Sequence, residues 1–207
     1  IFIRGGEEDS EALYERRIRA AWDYRKKLGY ENCCRVVFGE ADDLPALIVD
    51  KYADILVVQC LSLGIHQRKE TICRVLENIF SPRGIYERSD AAVRAKEGLP
   101  LEKGVLFGEV PDEVIIEENG LKMSVDVKNG QKTGYFLDQK ENRFAVRRYA
   151  KGGTVLDCFC NSGGFSLNAA LTADENLRFF FPASRLQHRE SALAAVGLAG
   201  YEDLPLS

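Results

Sequence analysis

The spacing of apolar side chains predicts two amphipathic helices within the first eighty residues. From Ser10, which can act as an N-cap, apolar residues recur at helical intervals up to Leu28, and Gly29 is a natural stop. Between Gln67 and Phe80, apolar residues fall at i, i+3, i+4, i+7 and i+8, which places them on one side of a helix. Each helix therefore has a face suited to covering a core.

Short runs rich in Val, Ile and Leu predict strands that pair as hairpins. The runs Ala46–Val49 and Ile55–Cys60 are joined by a short polar segment and should form the first hairpin. A second hairpin is centred on Asn119 and Gly120, because Asn-Gly between alternating apolar residues favours a tight turn. The run 84–88 predicts a further strand.

A polar segment after residue 129 predicts another helix. Asp138 followed by Glu141 is typical of an N-cap with a capping-box partner, opening a helix that continues through Ala150. A capped helix explains Asp138, but it leaves unexplained the density of polar side chains around it. These are Gln131, Lys132, Thr133, Gln139, Asn142 and Arg143.

A strand, a small-residue turn and a helix follow. The strand pattern is Thr154–Phe159, the turn contains Gly163 and Gly164, and the helix covers 166–171. This order is the geometry of a nucleotide-type cofactor site at the carboxyl end of a parallel strand. The turn matches neither the dinucleotide fingerprint nor the phosphate loop, and a plain tight turn is the alternative interpretation.

Composition narrows the class of protein. Twenty-eight basic and thirty-two acidic residues give a net charge of −4, which excludes a uniformly basic, histone-like protein. The predicted first helix still carries a basic face between Arg16 and Lys27, which could meet RNA or simply be solvated. We find neither an apolar run of roughly 20 residues nor a signal peptide, so the pattern predicts a cytoplasmic protein without membrane partners.

The six cysteines do not predict a metal site. They form no C-x2-C pair, and the two histidines have no ligand-like neighbours in the sequence. Cys60 and Cys73 lie within apolar patterns, as expected for buried, reduced thiols. The sequence therefore predicts no bound metal and no disulfide framework.

Two motifs carry a specific resemblance. GQKTGYFLDQKENR, followed closely by VLDCFCNSGGFSLNAA, resembles the large-subunit ribosomal RNA cytosine-C5 methyltransferase family. The upstream segments RVVFGEADDLPALIVDKYADILVVQ and GIYERSD resemble the same family's central domain. The resemblance implies a PUA domain, a central domain and a Rossmann-like catalytic domain that binds S-adenosylmethionine. It also implies ribosomal RNA as the partner, and leaves a homodimer open.

The resemblance implies a cofactor pocket built from both motifs. Asp157 would end the first strand, while Asn161, Gly163 and Gly164 would form the turn under the methionine part of the cofactor. The opposite wall would consist of seven residues of the first motif, namely Lys132, Thr133, Tyr135, Phe136, Asp138, Gln139 and Arg143. There are two alternatives without a cofactor. Asp157 could simply cap a turn, and Arg143 could form an ion pair on the surface with the neighbours of Glu141.

The resemblance stops after Ala170. Members of the family continue with a strand ending in an acid, an Asp-Pro-Pro segment and a catalytic cysteine, and these do not follow in this chain. Cys158 and Cys160 lie in the predicted cofactor turn, so we assign neither as nucleophile, and the catalytic residues stay unknown. A frame-shifted or wrongly joined end, or a genuine alternative end, would account for 171–207.

The sequence therefore predicts an α/β protein, with a mixed α+β central domain and the first part of a Rossmann-like domain. We expect a linker or PUA remnant at 1–9, the central domain at 10–128, the cofactor domain at 129–171 and a non-family tail at 172–207. The parent activity would be methyl transfer to C5 of a cytosine, with this chain itself inactive. A non-catalytic RNA- or ribosome-binding module and an inactive scaffold fragment are the alternatives.

Overall fold

A computed structural model describes residues 6–151, 154–158, 160–172 and 178–180. The chain divides into two units, one formed by 1–117 with 124–137 and the other by 118–123 with 138–207. The helices of the described part are α1 (Glu11–Lys27), α2 (Leu63–His66), α3 (Lys69–Phe80), α4 (Lys140–Ala145) and α5 (Gly164–Ala170). The strands are β1 (Cys33–Phe38), β2 (Leu47–Tyr52), β3 (Ile55–Cys60), β4 (Gly84–Ser89), β5 (Glu102–Gly108), β6 (Val114–Glu118), β7 (Leu121–Val125), β8 (Thr154–Leu156) and β9 (Arg178–Phe180).

The first unit is built on a mixed sheet of strands β1 to β5 in sequence order. Neighbouring strands are antiparallel except β3 and β4, which are parallel and are connected through α2 and α3. The first predicted hairpin is confirmed, but β2 continues to Tyr52, which is paired with Ile55. The turn therefore contains only Ala53 and Asp54, and Asp50 belongs to the strand rather than to the polar join.

The hydrophobic core lies between α1, α3 and one face of this sheet. Both predicted helices are confirmed, and Gly29 follows α1 with a φ of 75°, while α3 begins at Lys69 after the short helix α2. The buried side chains of the core include Tyr14, Ile18, Val36, Leu47, Val49, Leu56, Val58, Ile72, Val75, Leu76 and Ile85. Among the described residues, no helix is both long and apolar enough to cross a bilayer.

The other face of the sheet carries buried polar side chains. Because side chains alternate along a strand, Leu47 and Val49 face the helical core while Asp50 and Tyr52 face the opposite side. Asp50 and Tyr52 are both 0% exposed, and Arg88 on β4 is 5% exposed. This face is therefore covered, and its polar groups must find partners there.

The second predicted hairpin is confirmed as β6 and β7. Asn119 and Gly120 have φ angles of 56° and 78°, the left-handed conformation that a tight two-residue hairpin turn requires.

The predicted domain boundary at 128/129 falls inside the first unit, which continues to Leu137. The polar loop that follows this hairpin is thus part of the first unit.

The helix predicted to open at Asp138 is wrong in its start and its length. Asp138 lies in a 3-10 turn, Gln139 occupies the N-cap position, and α4 ends at Ala145 before a second 3-10 turn. The capping-box pattern is local, and here the preceding 3-10 turn moves the N-cap one residue along the chain, from Asp138 to Gln139.

The strand–turn–helix of the second unit is present with shorter bounds. Strand β8 ends at Leu156, Phe159 lies outside the described residues, and α5 begins at Gly164 instead of Ser166. Strand β9 pairs with β8 in parallel, a feature that the sequence pattern did not predict. Apart from Thr172 and β9, the predicted tail at 172–207 lies outside the described residues.

Replacing Leu76 by Ala should destabilise the first unit strongly. Leu76 is 0% exposed within the core, and removing a buried leucine side chain costs about 2–5 kcal/mol. Chemical denaturation followed by circular dichroism measures the change. Asn78→Ala, at an exposed position of the same helix, is the control and should change the unfolding free energy by less than about 0.5 kcal/mol. Equal losses in both variants would contradict the placement of this core.

Candidate cofactor site

The first-unit part of the predicted site is the QKTGYF loop, residues 131–136. Lys132 has a φ of 55°, and its ammonium lies 4.4 Å from the centre of the Phe136 ring. Gly134 has a φ of 134°, and a Cβ there would come within 2.9 Å of Val125. The loop conformation therefore depends on glycine at 134 and presents an aromatic ring covered by a cation.

Thr133 is directed into the sheet. Its side chain is 1% exposed, and its hydroxyl donates a hydrogen bond of 2.5 Å to the Asp50 carboxylate. The Tyr52 hydroxyl lies 2.8 Å from the same Thr133 oxygen and accepts a hydrogen bond from the Tyr135 backbone N–H. Burial raises the pKa of Tyr52, so its hydroxyl keeps its proton and can donate it to Thr133.

The sequence reasoning missed the partners of this loop. Asp50 accepts two hydrogen bonds from Arg35, at 2.8 and 2.9 Å, and Arg88 donates to the carbonyls of Val127 and Gly130 at 3.1 Å. One signal was available, since Asp50 directly follows the apolar run 46–49, and an aspartate that is buried must be paired. The sequence could not say with which residue.

The second-unit part of the predicted site is the turn after β8. Asp157 directly follows that strand and accepts a hydrogen bond of 2.7 Å from the Ser166 hydroxyl on α5. Asn161 and Gly163 have φ angles of 47° and 76°, and Gly164 is the first residue of α5. The predicted order of acidic strand end, glycine turn and helix is therefore present at the carboxyl end of a parallel strand.

Three further predicted site residues lie at α4. The Gln139 amide donates to Asp138 at 3.1 Å and accepts from Asn142 at 2.9 Å. Arg143 makes two hydrogen bonds to Glu118, at 2.5 and 2.7 Å, with side chains 3% and 1% exposed. Arg143 is thus part of a buried ion pair with the end of β6, and not of a surface pair near Glu141.

A small amide network connects the hairpin turn to α5. Arg147 donates to the backbone carbonyl of Asn119 and to the side-chain oxygen of Asn168, at 2.6 and 2.7 Å. The Asn168 amide in turn donates to the carbonyl of Gly164 at 2.8 Å. Asn168 is 1% exposed, so it is a buried polar residue whose partners fix the start of α5.

One cluster in the first unit has the composition of a metal site. Ligand atoms of His66, Glu87 and Glu102 lie within 4.8 Å of one another, so His66 does have carboxylates as spatial neighbours. The Lys69 ammonium, however, lies 2.8 Å from Glu87 and 2.9 Å from Glu102, and Arg94 lies 3.4 Å from Glu102. Two cations already balance the two carboxylates, so we assign an ion-pair network.

The basic face of α1 is largely neutralised by acidic partners. Five of its six cations form ion pairs: Arg16 and Arg17 with Glu7, Arg19 with Glu15, Arg25 with Asp42, and Lys26 with Asp23. Phosphate groups would have to compete with these carboxylates. RNA contact at this face stays a prediction without support from the geometry.

Removing one partner of the Glu118–Arg143 pair should cost far more stability than replacing both. Glu118→Leu leaves a buried guanidinium unpaired, and such a loss is about 3–5 kcal/mol, whereas the double variant with Arg143→Met should be close to neutral. Denaturant unfolding of the single and double variants measures the difference. Additive losses in the double variant would show that the two side chains are not coupled.

Native thiol reactivity should be confined to one cysteine. Cys158 is exposed while the other five cysteines are buried, and burial raises the pKa of Cys34 and Cys60 to about 12 and that of Cys73 to about 11. At pH 8 we expect one fast-reacting thiol with a chromogenic disulfide reagent and six after denaturation. Persistence of the fast phase in Cys158→Ser would contradict this.

Comparison with known proteins gives a consistent assignment. Residues 43–179 match the family model described as S-adenosylmethionine-dependent methyltransferase. The ribosomal RNA large subunit methyltransferase I of Pseudoalteromonas atlantica is 47% identical over 160 residues, covering 74% of this chain and 40% of that protein. The enzyme of the same name from Aeromonas hydrophila is 46% identical over 166 residues, covering 76% of this chain and 41% of that protein.

Solved structures agree at the level of the fold. A protein from Streptococcus mutans described as a SAM-dependent methyltransferase superposes with a TM-score of 0.79 at 21% identity, covering 100% of this chain and 55% of that one. The protein SMU.776, described as a methyltransferase and solved in complex with SAH, superposes with a TM-score of 0.77 at 22% identity, covering 97% of this chain and 53% of that one. The predicted α/β class is therefore confirmed. Because the family model covers more than half of its residues, the chain belongs to the S-adenosylmethionine-dependent methyltransferase family.

Proposed function

We propose that this chain is the cofactor-binding and central part of an RNA methyltransferase that uses S-adenosylmethionine. The observation that carries the proposal is the turn after β8, where Asp157, a left-handed Gly163 and the start of α5 follow one another. The family match supplies the reaction type, and two relatives named for large-subunit ribosomal RNA supply the substrate class.

The residues present fit the chemistry of this cofactor. S-adenosylmethionine supplies a methyl group on a sulfonium, and it also carries an ammonium and a carboxylate. In the second unit, Asp157 and Asp138 offer carboxylates, and Gly163 and Gly164 allow close approach to the backbone. A positively charged sulfonium is well matched by carboxylates and by an aromatic face.

The predicted site residues of the first unit also have side chains that suit this cofactor. Tyr135 is 6% exposed, and Phe136 offers a half-buried ring beneath the Lys132 ammonium. Gln139 adds an amide at the start of α4. We propose these residues, with Arg143 and Asn161, as the cofactor set, in which Arg143 acts through its buried pair with Glu118.

We propose C5 of a cytosine in large-subunit ribosomal RNA as the methylated atom. This carbon becomes nucleophilic after a thiolate adds to the neighbouring C6, so the reaction requires a cysteine opposite the cofactor. Cys160 is buried, and burial raises the pKa of its thiol, which disfavours the thiolate. We therefore leave the nucleophile unassigned.

The whole protein's activity is a proposal drawn from larger relatives. The chain spans about two fifths of the length of the curated relatives it matches, 40% and 41%. We propose the cytoplasm as its compartment, because ribosomal RNA is the implied substrate. A homodimer stays a prediction that light scattering of the purified chain would test.

Titration calorimetry with S-adenosylmethionine tests the proposed turn. We expect weak binding by the chain of 207 residues and its loss in Gly163→Ala, because a side chain at a φ of 76° costs roughly 1–2 kcal/mol and distorts the turn. Gly98→Ala is a matched control, with a φ of 68° and no atom within 4 Å of an added Cβ. Unchanged binding by Gly163→Ala would overturn the assignment.

Turnover is measured separately, with radiolabelled cofactor and ribosomal RNA. We expect no methyl transfer by this chain alone. Incorporation of label into the RNA would contradict that expectation and would place the nucleophile within these 207 residues.

A further inference from the structure

We propose that Thr133 serves the cofactor site indirectly, as the centre of a buried latch that holds the QKTGYF loop on strand β2. Asp50 and Tyr52 are the positioning residues of this latch. The proposal rests on the proposed function, since it concerns the loop whose residues we propose for cofactor binding. It also changes the role of Thr133 from a cofactor contact to a structural anchor.

The hydroxyl of Thr133 already has two partners within the protein, one for its proton and one for its oxygen. A threonine hydroxyl has one proton, and here that proton is donated to the Asp50 carboxylate at 2.5 Å. Its oxygen accepts from the Tyr52 hydroxyl at 2.8 Å. With 1% of the residue exposed, Thr133 reaches a ligand only if this arrangement is broken.

Both latch partners belong to the sheet and are unsuited to direct contact with a ligand. Asp50 and Tyr52 are 0% exposed, and Asp50 is also held by two hydrogen bonds from Arg35. Tyr52 has a second connection to the loop, because the Tyr135 backbone N–H donates to its hydroxyl. The latch residues therefore hydrogen-bond to the loop at Thr133 and at Tyr135, one on either side of Gly134.

A second anchor fixes the start of the loop. The Arg88 guanidinium, 5% exposed, donates to the carbonyls of Val127 and Gly130, each at 3.1 Å. Gly130 closes the turn by donating its N–H to the Asp126 carbonyl at 2.9 Å. The loop is therefore held at its entry by β4 and in its middle by β2.

The consequence of two anchors is a loop ordered before any ligand arrives. Fixing the backbone of a residue costs about 1–2 kcal/mol, and a ligand that must order a loop loses that free energy from its affinity. The Lys132–Phe136 pair, with the ammonium 4.4 Å from the ring centre, lies on either side of the latched residue. We infer that the latch presents this pair to the ligand.

Four variants separate the latch from a general effect on stability. Tyr52→Phe and Thr133→Val remove one hydroxyl each from the latch with little change in shape, while Thr133→Ser keeps the hydroxyl. Tyr14→Phe is the matched control, because Tyr14 is 1% exposed in the same unit and its hydroxyl bonds Asp9, far along the chain from the loop. Each purified chain is studied by hydrogen exchange and by titration with S-adenosylmethionine.

We expect the loop amides of Tyr52→Phe and Thr133→Val to exchange at least about tenfold faster, with strands β2 and β3 unchanged. Cofactor affinity should fall by about tenfold in the same two variants, which corresponds to ~1.4 kcal/mol. Thr133→Ser and Tyr14→Phe should stay within about twofold of the natural chain in both measurements, since each leaves the latch hydroxyls in place.

The results that would refute the positioning role of the latch differ from those that would refute cofactor binding. Unchanged loop exchange in Tyr52→Phe, or equal acceleration in loop and strands, would refute the positioning role. Full cofactor affinity in Thr133→Val would do the same. If titration of the natural chain with S-adenosylmethionine releases no heat, the proposed cofactor binding is refuted for this chain. Hydrogen exchange of the loop amides then tests the latch by itself.

Discussion

The fully buried carboxylate of Asp50 is the constraint on which the far face of the sheet depends. A charge without exposure is stable only when it is paired and hydrogen-bonded, and its partners here come from β1 and from the QKTGYF loop. The hydrogen bonds of Asp50 therefore fix the positions of β1, β2 and the QKTGYF loop relative to one another. Any alternative position of the loop would leave the carboxylate with part of its hydrogen bonding unmet.

The second unit also contains a buried carboxylate that is paired with an arginine. Glu118 and Arg143 are both nearly inaccessible, and their paired hydrogen bonds connect the end of β6 to α4. Arg147 and Asn168 extend the connection to α5 through amide and carbonyl groups. In both units, buried polar contacts specify where a loop or helix start lies, while apolar packing of the core is less selective about position.

Local patterns were sufficient for α1, for the β2–β3 hairpin and for the Asn119 turn, because helical periodicity and turn chemistry depend on near neighbours. They failed at Asp138, where a 3-10 turn displaced the helix start, and they could not identify Thr133 as the loop partner of Asp50. That partner lies 83 positions away, and no periodicity carries such information. The glycine turn was found because its residues are contiguous, whereas Glu118 was missed because it lies 25 positions before Arg143.

Strand β5 is the last in the sheet order, so one of its sides has no neighbouring strand among the described residues. Val105 and Phe107 on it are 53% and 37% exposed, and unsatisfied main-chain groups beside apolar side chains favour self-association between molecules. Lys103, on the same strand, lies 3.2 Å from the Asp90 carboxylate, so its charge is already balanced. This edge is therefore a place where two molecules could pair at high protein concentration, far along the chain from the glycine turn.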